Sequence, residues 1–211
     1  IIFDFDSTLI KGESLELILE PLLADDTSKI LEIEKITNMG MSGDIDFKTS
    51  LERRLAIAKP TLQAIKAFSD KYCPSLLTKG MVELVSNLQE KGYEIWIFSG
   101  GLTDSIKPFA EALGISTKNI YAVEVDWNAD GSFNKLNNSN GACDSKLEAF
   151  DKAKELLRGE VIAIGDGYTD YQLFESGLAD KFIAYTEHVT RENVVAKAES
   201  IAMDVGVLKY I

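Results

Sequence analysis

Asp4 and Asp6 stand one residue apart at the end of the apolar run Ile1-Ile2-Phe3, and Ser7 and Thr8 follow at once. In an extended segment alternate side chains share a face, so these carboxylates point the same way. Two like charges that close are unfavourable unless a proton or a cation sits between them. A divalent, oxygen-loving ion such as Mg²⁺ meets that need. Asp and Ser also close strands without doing any chemistry, so the pair acquires meaning only with partners elsewhere in the chain. Ile95-Trp96-Ile97-Phe98 runs into Ser99-Gly100-Gly101, and the apolar residues 161–164 run into Gly165-Asp166-Gly167-Tyr168-Thr169-Asp170. A hydroxyl beside glycines, read as the start of a helix, suits a phosphate oxygen. Asp166 offers a third oxygen ligand for a cation, and Asp170 can orient a water or a neighbouring side chain. Lys146 is expected in the first turn of a helix capped by Asp144 and leading to Leu157. A cation there opposes the helix dipole, a local misfit that marks functional residues. Its ammonium can offset the charge of Asp4 and of a phosphate.

The elements that must position these groups follow from periodicity. Short β-rich runs at 1–5, 93–98, 161–164 and 182–184 alternate with segments of helical spacing, the pattern of an α/β fold. Ligands of a parallel sheet wound by helices bind at the carboxyl ends of the strands, where the acid pair, the hydroxyl and the second acid pair fall. Between the first two runs, residues 12–74 contain no comparable strand. Leu15, Leu19 and Leu22, then Ile30, Ile33 and Ile36, then Phe47, Leu51 and Leu55 recur at helical spacing. This section reads as an inserted helical bundle forming a cap, with helix starts after Asp44 and Thr61 and breaks at Gly40 and Pro60. Its hinges are expected near Lys11-Gly12 and Cys73-Pro74. Residues 123–133, with the turn Asn128-Ala129-Asp130-Gly131, read as a β-hairpin.

Composition sets the outer limits. The 211 residues, 45% hydrophobic and 27% charged, suffice for a sizeable core. Lys and Arg number 22 against 34 Asp and Glu, a formal charge of −12 that opposes a nucleic-acid backbone as partner. An anionic substrate therefore needs a local positive site. Cys73 and Cys143 lack metal-type spacing and favour a reducing, cytoplasmic setting. No run approaches the roughly 20 apolar residues of a membrane span.

The ordered set of four motifs resembles the haloacid dehalogenase superfamily and, within it, the phosphoserine phosphatases, along nearly the whole chain. The motifs are Asp4-Phe5-Asp6-Ser7-Thr8, Ser99-Gly100-Gly101, Lys146 and Gly165 through Asp170. The resemblance implies a Rossmann-like parallel sheet core with helices on both faces, formed by 1–12 and 75–211, and a helical-bundle cap, 13–74, inserted between the first and second motifs. It also implies a Mg²⁺-dependent phosphomonoesterase working through an aspartyl-phosphate. Asp4 would be the nucleophile and Asp6 the acid and base. Ser99, Gly100 and Lys146 would hold phosphate. Asp4, the Asp6 carbonyl and Asp166 would hold the metal, supported by Asp170. On the substrate side it implies Glu13 facing an amino group, Met41-Ser42-Gly43 and Phe47 closing the site, Arg54 on a carboxylate, and Thr169 in the last motif.

The implied partner is a small phosphorylated metabolite, phosphoserine, for a monomer or homodimer that binds neither nucleic acid nor membrane. The chain departs from the family pattern at Tyr168-Thr169, where a small residue and Asn are common, and at Leu102, where Phe is. Lys135 is a second candidate for the basic position, and His188, outside every motif, is expected on the surface or in a loop. Two rival activities keep the same chemistry: a phosphatase or phosphotransferase acting on another small phosphomonoester such as phosphoethanolamine, and a receiver-type phosphorylation module. The helical insertion just after Thr8 argues against a receiver, which has no use for a substrate cap.

Overall fold

Alternate residues of the buried strands go to opposite faces of one sheet, and this divides the apolar core in two. Phe3, Ile97 and Ile164 pack in one cluster, while Ile2, Trp96, Phe98 and Ala163 pack in another. A computed structural model describes residues 1–42 and 44–211, leaving out the side chains of 38, 40–42 and 208–210. The strands are β1 (Ile2–Phe3), β2 (Trp96–Leu102), β3 (Ile120–Trp127), β4 (Phe133–Asn137), β5 (Ile162–Gly165), β6 (Lys181–Tyr185) and β7 (Ser200–Ala202). They form a seven-stranded sheet in the order β4-β3-β2-β1-β5-β6-β7. Every pairing is parallel except β3 with β4. The first motif therefore leaves the central strand, flanked by the strands that carry the second and fourth.

The helices are α1 (Ser14–Leu23), α2 (Thr27–Ser42), α3 (Phe47–Ala58), α4 (Leu62–Tyr72), α5 (Met81–Glu90), α6 (Thr103–Ala112), α7 (Lys146–Ala153), α8 (Tyr168–Glu175) and α9 (Glu192–Val195). Ala149 and Phe150 of α7, Leu173 of α8 and Val194 of α9 cover one face of the sheet. Leu84 and Leu88 of α5 and Ile106 and Phe109 of α6 cover the other. The second face continues without a break into the insertion, through Ile18 and Leu19 of α1, Leu51 and Leu55 of α3, and Ile65 and Phe68 of α4.

Three contacts tie α4 to the strand-bearing part. Phe68 packs on Phe109 of α6 with ring centroids 5.8 Å apart. The Leu62 N–H donates to Gly131 O at 3.0 Å, and Thr61 bridges Ser132. The two crossings into and out of the insertion are also bonded to each other, Lys11 N–H to Leu76 O at 2.9 Å. The stretch at Cys73-Pro74 thus joins two elements that are both anchored, which makes it a poor hinge. Helix α3 meets the strand-bearing part differently, through the exposed Lys48–Asp144 pair and the Phe47 ring over Gly100.

Several local boundaries differ from the sequence reading, each for a stated reason. Helix α2 runs past Gly40 to Ser42. Helix α3 starts after Asp46, whose carboxylate accepts from the Thr49 N–H at 2.8 Å, so Asp46 and not Asp44 is its cap. Helix α7 is capped by Ser145, which accepts from the Glu148 N–H at 3.1 Å, and it ends at Ala153, short of Leu157. Strand β2 continues through Ser99, Gly100 and Gly101 to Leu102, so these residues do not open the helix; α6 begins at Thr103. The expected hairpin exists as β3 and β4, but β3 also pairs with β2 and is part of the main sheet.

Candidate functional site

Asp4 is the first residue beyond β1, held in line by its N–H to Ile164 O at 2.9 Å. The chain then turns abruptly: Ile10 N–H closes a wide turn on Phe5 O at 3.1 Å. Ser7 within it has φ 52°, in the left-handed region, which is costly for a side chain other than glycine's. Two bonds offset that cost, Ser7 N–H to Gly12 O at 3.0 Å and the Ser7 hydroxyl to Glu13 Oε1 at 2.8 Å. The second of these also fixes the Glu13 carboxylate beside the first motif.

Four carboxylates and two cations meet here. Asp4 Oδ1 accepts from the Phe5 N–H at 2.7 Å and from Lys146 Nζ at 2.9 Å. Lys146 also reaches Asp170 Oδ1 at 2.5 Å, and Asp170 Oδ2 accepts from the Gly167 N–H at 3.1 Å. Burial alone would lower the Lys146 ammonium, but Asp170 and Asp4 outweigh it and hold the group above its usual range, firmly charged. Asp166 is buried, and its Oδ2 pairs with Arg191 Nε at 2.9 Å. Asp6 Oδ1 accepts from the Ser14 N–H at 2.6 Å. Burial first, and then the Glu13 and Asp4 carboxylates, push the Asp6 carboxyl up to about 8, against the pull of Ser14. Burial likewise raises Glu13.

This arrangement sets a pH dependence for the metal-free protein. Folded Asp6 keeps its proton between about 4 and about 8, whereas the unfolded chain gives it up near 4. The folded state then binds more protons across that window, so Asp6 lowers stability as pH rises through it. Chemical denaturation at several pH values should show this fall, to which Asp170, Asp166 and Glu13, raised chiefly by burial, contribute in the same direction, and Asp6→Asn should make it shallower. A native slope unchanged in the variant would refute the assignment.

Ser99 is buried, and its Oγ accepts from the Gly101 N–H at 3.0 Å. Its own proton is left to give to an anion. The β2–β3 register shifts between Phe98 and Leu102, across the Ser-Gly-Gly segment. The Phe47 ring of α3 lies over Gly100 so closely that a Cβ there would be 3.0 Å from Phe47 Cζ. Arg54, two turns along α3, is half-buried while its neighbour Arg53 is exposed. Its Nε donates weakly to Ser50 O at 3.4 Å, and among the described residues its two Nη groups have no partner. Burial lowers the guanidinium, and Glu16 and Glu13 offset that. Beyond it lies a cleft of about 850 Å³ lined by Glu13, Glu16, Leu19, Ile33, Arg54 and Tyr72.

Of the residues singled out in the sequence, Asp4, Asp6, Glu13, Ser99, Gly100, Lys146, Asp166 and Asp170 converge, with Phe47 and Arg54 facing them from α3. Thr169 is exposed on the first turn of α8. The Met41 side chain lies outside the described residues. Lys135 pairs with Asp126 at 3.7 Å on the exposed hairpin, which removes it as the basic group. His188 is in a loop as expected but is not a free surface residue: its Nε2 lies 2.8 Å from Thr78 Oγ1, which donates to Thr8 O. Arg191 was missed. It belongs to the loop after β6, a strand end with no motif, and only the rule that carboxyl ends carry ligands could have pointed there. Glu16 was missed because it reads as an ordinary exposed helix residue.

Carboxylate oxygens of Asp4, Asp166 and Asp170 lie within 4.8 Å of one another. The donors are oxygen only, which fits a hard divalent cation and not a soft one. Asp170 is already committed to Lys146 and Gly167, leaving Asp4 and Asp166 as the carboxylates with an oxygen to spare.

A family model described as haloacid dehalogenase-like hydrolase matches residues 1–175. Among solved structures, a phosphoserine phosphohydrolase-like protein from Francisella tularensis subsp. tularensis SCHU S4 is similar, with a TM-score of 0.92 and 66% identity over 99% of this chain and 97% of that one. A phosphoserine phosphatase of Drosophila melanogaster is 31% identical over 210 residues, 96% of this chain and 73% of its own. One of Campylobacter jejuni subsp. doylei is 31% identical over 217 residues, 100% of this chain and 96% of its own.

Proposed function

The chain belongs to the haloacid dehalogenase-like hydrolase family, and from that premise we propose that it hydrolyses O-phosphoserine to serine and phosphate. The observation that carries this reading is the pairing of opposite charges beside the acid cluster. Glu13, held by Ser7, meets an ammonium, and the unsatisfied Arg54 guanidinium meets a carboxylate. Relatives that bear the name phosphoserine phosphatase across most of the chain support the same substrate.

In this reading one carboxylate oxygen of Asp4 attacks phosphorus, the other being left to the cation, as the P–O bond to serine breaks. Asp6, which holds its proton near neutrality, gives that proton to the departing oxygen. Asp6 then takes a proton from the water that attacks the aspartyl-phosphate, which releases phosphate and restores Asp4. Ser99, the Gly100 backbone and Lys146 hold the non-reacting phosphate oxygens. Asp4, Asp166 and the Asp6 carbonyl would hold Mg²⁺, which supplies positive charge against the repulsion between an anionic nucleophile and an anionic phosphate. Residues 1–12 and 75–211 act as the catalytic core and 13–74 as the cap.

The test is phosphate release from phosphoserine with Mg²⁺, against phosphoethanolamine and other small phosphomonoesters. A clear preference for phosphoserine supports the reading, and equal turnover of all of them refutes it. A phosphotransferase would instead show serine release exceeding phosphate release when an acceptor alcohol is added.

The cap contact at Phe47 has its own support. Next to it Lys48 Nζ pairs with Asp144 Oδ1 of the strand-bearing part at 3.1 Å. Both groups are exposed, so the pair shifts closure by only a few-fold. Lys48→Glu should raise the KM for phosphoserine roughly threefold to fivefold, and adding Asp144→Lys should restore it. Failure of the double exchange to restore KM would mean that the pair does not set the position of α3.

A further inference from the structure

Ser14, the first residue of α1, is fully buried, and among the described residues its hydroxyl has no hydrogen-bond partner. Buried hydroxyls are nearly always paired, so one left open beside a reactive group needs a reason. Its surroundings supply one. A Cβ placed on Gly101 would lie 3.1 Å from Asp6 Oδ2, 3.2 Å from Ser14 Oγ and 3.3 Å from Ser99 Oγ. Three oxygens thus crowd the position that a Gly101 side chain would take, and glycine is the residue that leaves them room. Thr8 Oγ1 and Thr103 Oγ1 are also without a partner among the described residues, but Ser14 Oγ is the one of these three hydroxyls gathered with Asp6 Oδ2 at Gly101. The Ser14 backbone already holds the other Asp6 oxygen, N–H to Oδ1 at 2.6 Å.

We infer that Ser14 is a positioning residue for Asp6: its N–H and its hydroxyl together fix the plane of the carboxyl that serves the leaving oxygen. The inference rests on the proposed hydrolysis of phosphoserine. One residue thereby restrains both oxygens of the carboxyl, the N–H from one side and the hydroxyl from the other. A carboxyl held by the N–H alone can rotate about that bond and lose its aim. The hydroxyl is fully buried behind Gly101 and is assigned no contact with the substrate, so its loss should leave binding alone and slow the chemical step.

The experiment compares the native protein, Ser14→Ala, Ser14→Thr and Ser14→Cys with phosphoserine and Mg²⁺. It reads kcat, KM and the single-turnover rate of serine release, with thermal melting to monitor folding. Ser14→Ala should slow serine release roughly tenfold, a fraction of the 10²–10⁴ that a well-aimed proton donor supplies, with KM within about twofold of native. Ser14→Thr, which keeps a hydroxyl, should recover most of the rate. If Ser14→Ala does not fold, Ser14→Cys, near in size but a weaker donor, should show a loss of the same kind. Serine release within twofold of native in the folded variant lacking the hydroxyl, a rise in KM alone, or a threonine variant no better than alanine would overturn the inference. A native protein that releases no serine would instead refute the assigned substrate.

Discussion

Asp4→Asn should abolish turnover of phosphoserine while leaving the protein as stable as the native one or more so. The chemical part follows from the role proposed for the residue. An amide oxygen is a far weaker nucleophile than a carboxylate, and loss of a covalent nucleophile costs roughly 10⁴-fold or more in kcat. The structural part follows from the surroundings. Asn Oδ1 can still accept from the Phe5 N–H and from Lys146, the two bonds that Asp4 Oδ1 makes. Lys146 keeps Asp170 at 2.5 Å, so no buried cation is stranded. Meanwhile Asp4 is among the charges that disfavour the ionised forms of Asp6, Asp166 and Asp170, and neutralising it relieves all three. The check is phosphate release together with thermal melting of the metal-free protein. An acid quench with phosphate-labelled substrate should leave label on native protein and none on the variant. A variant that keeps more than about a thousandth of native activity would exclude Asp4 as nucleophile, and one that melts well below native would show that Asp4 is structural.

The acid cluster was legible in the sequence because its parts lie at or near the carboxyl ends of strands. Asp4, Ser99 and Asp166 each follow a run of β-branched and aromatic residues, and parallel strands align their carboxyl ends without further information. Lys146 was legible for a different reason, a cation where a helix dipole disfavours one. What escaped reading depended either on exact local geometry or on contacts between segments far apart in sequence. Whether Asp44 or Asp46 caps α3 turns on which carboxylate reaches an N–H three residues on, and both satisfy the composition rule. Asp144 reads as the cap of α7, but the structure gives that role to Ser145 and sends Asp144 to Lys48, 96 residues away. The Ser-Gly-Gly segment reads as a turn into a helix, yet β3 on its far side keeps it extended as far as Leu102. Arg191 pairs with Asp166 from a loop whose sequence carries no mark of it. The anchoring of α4 on α6 was equally hidden, since amphipathic spacing says that a helix buries one face and not what it buries that face against.

Arg54→Ala should separate phosphoserine from phosphates that lack a carboxylate. Neighbouring residues on a helix point about 100° apart, and here the division is complete: Arg53 is exposed, and Arg54 turns inward toward Glu13 and Glu16. Phe47 and Arg54, seven positions apart, lie close to two turns from each other on one face of α3, and Phe47 is already against Gly100. The Arg54 guanidinium has given only a weak Nε bond to Ser50 O. A planar cation with two Nη donors in reserve is suited to clasp a carboxylate through paired hydrogen bonds. Removing one partner of such a buried pair costs about 2 to 5 kcal/mol. With ~1.4 kcal/mol for each factor of ten, kcat/KM for phosphoserine should fall roughly 30-fold or more. Phosphoethanolamine keeps the ammonium that Glu13 would meet but has nothing for Arg54 to hold, so its kcat/KM should change much less. Arg53→Ala should spare both substrates. The glutamates sharpen the argument, because deleting Arg54 also leaves Glu13 and Glu16 without the cation between them. If that change in field were the main effect, an ammonium-bearing substrate would bind more tightly, and phosphoethanolamine would improve while phosphoserine declined. Equal losses on the two substrates would instead show that Arg54 supports α3 and does not read the serine carboxylate.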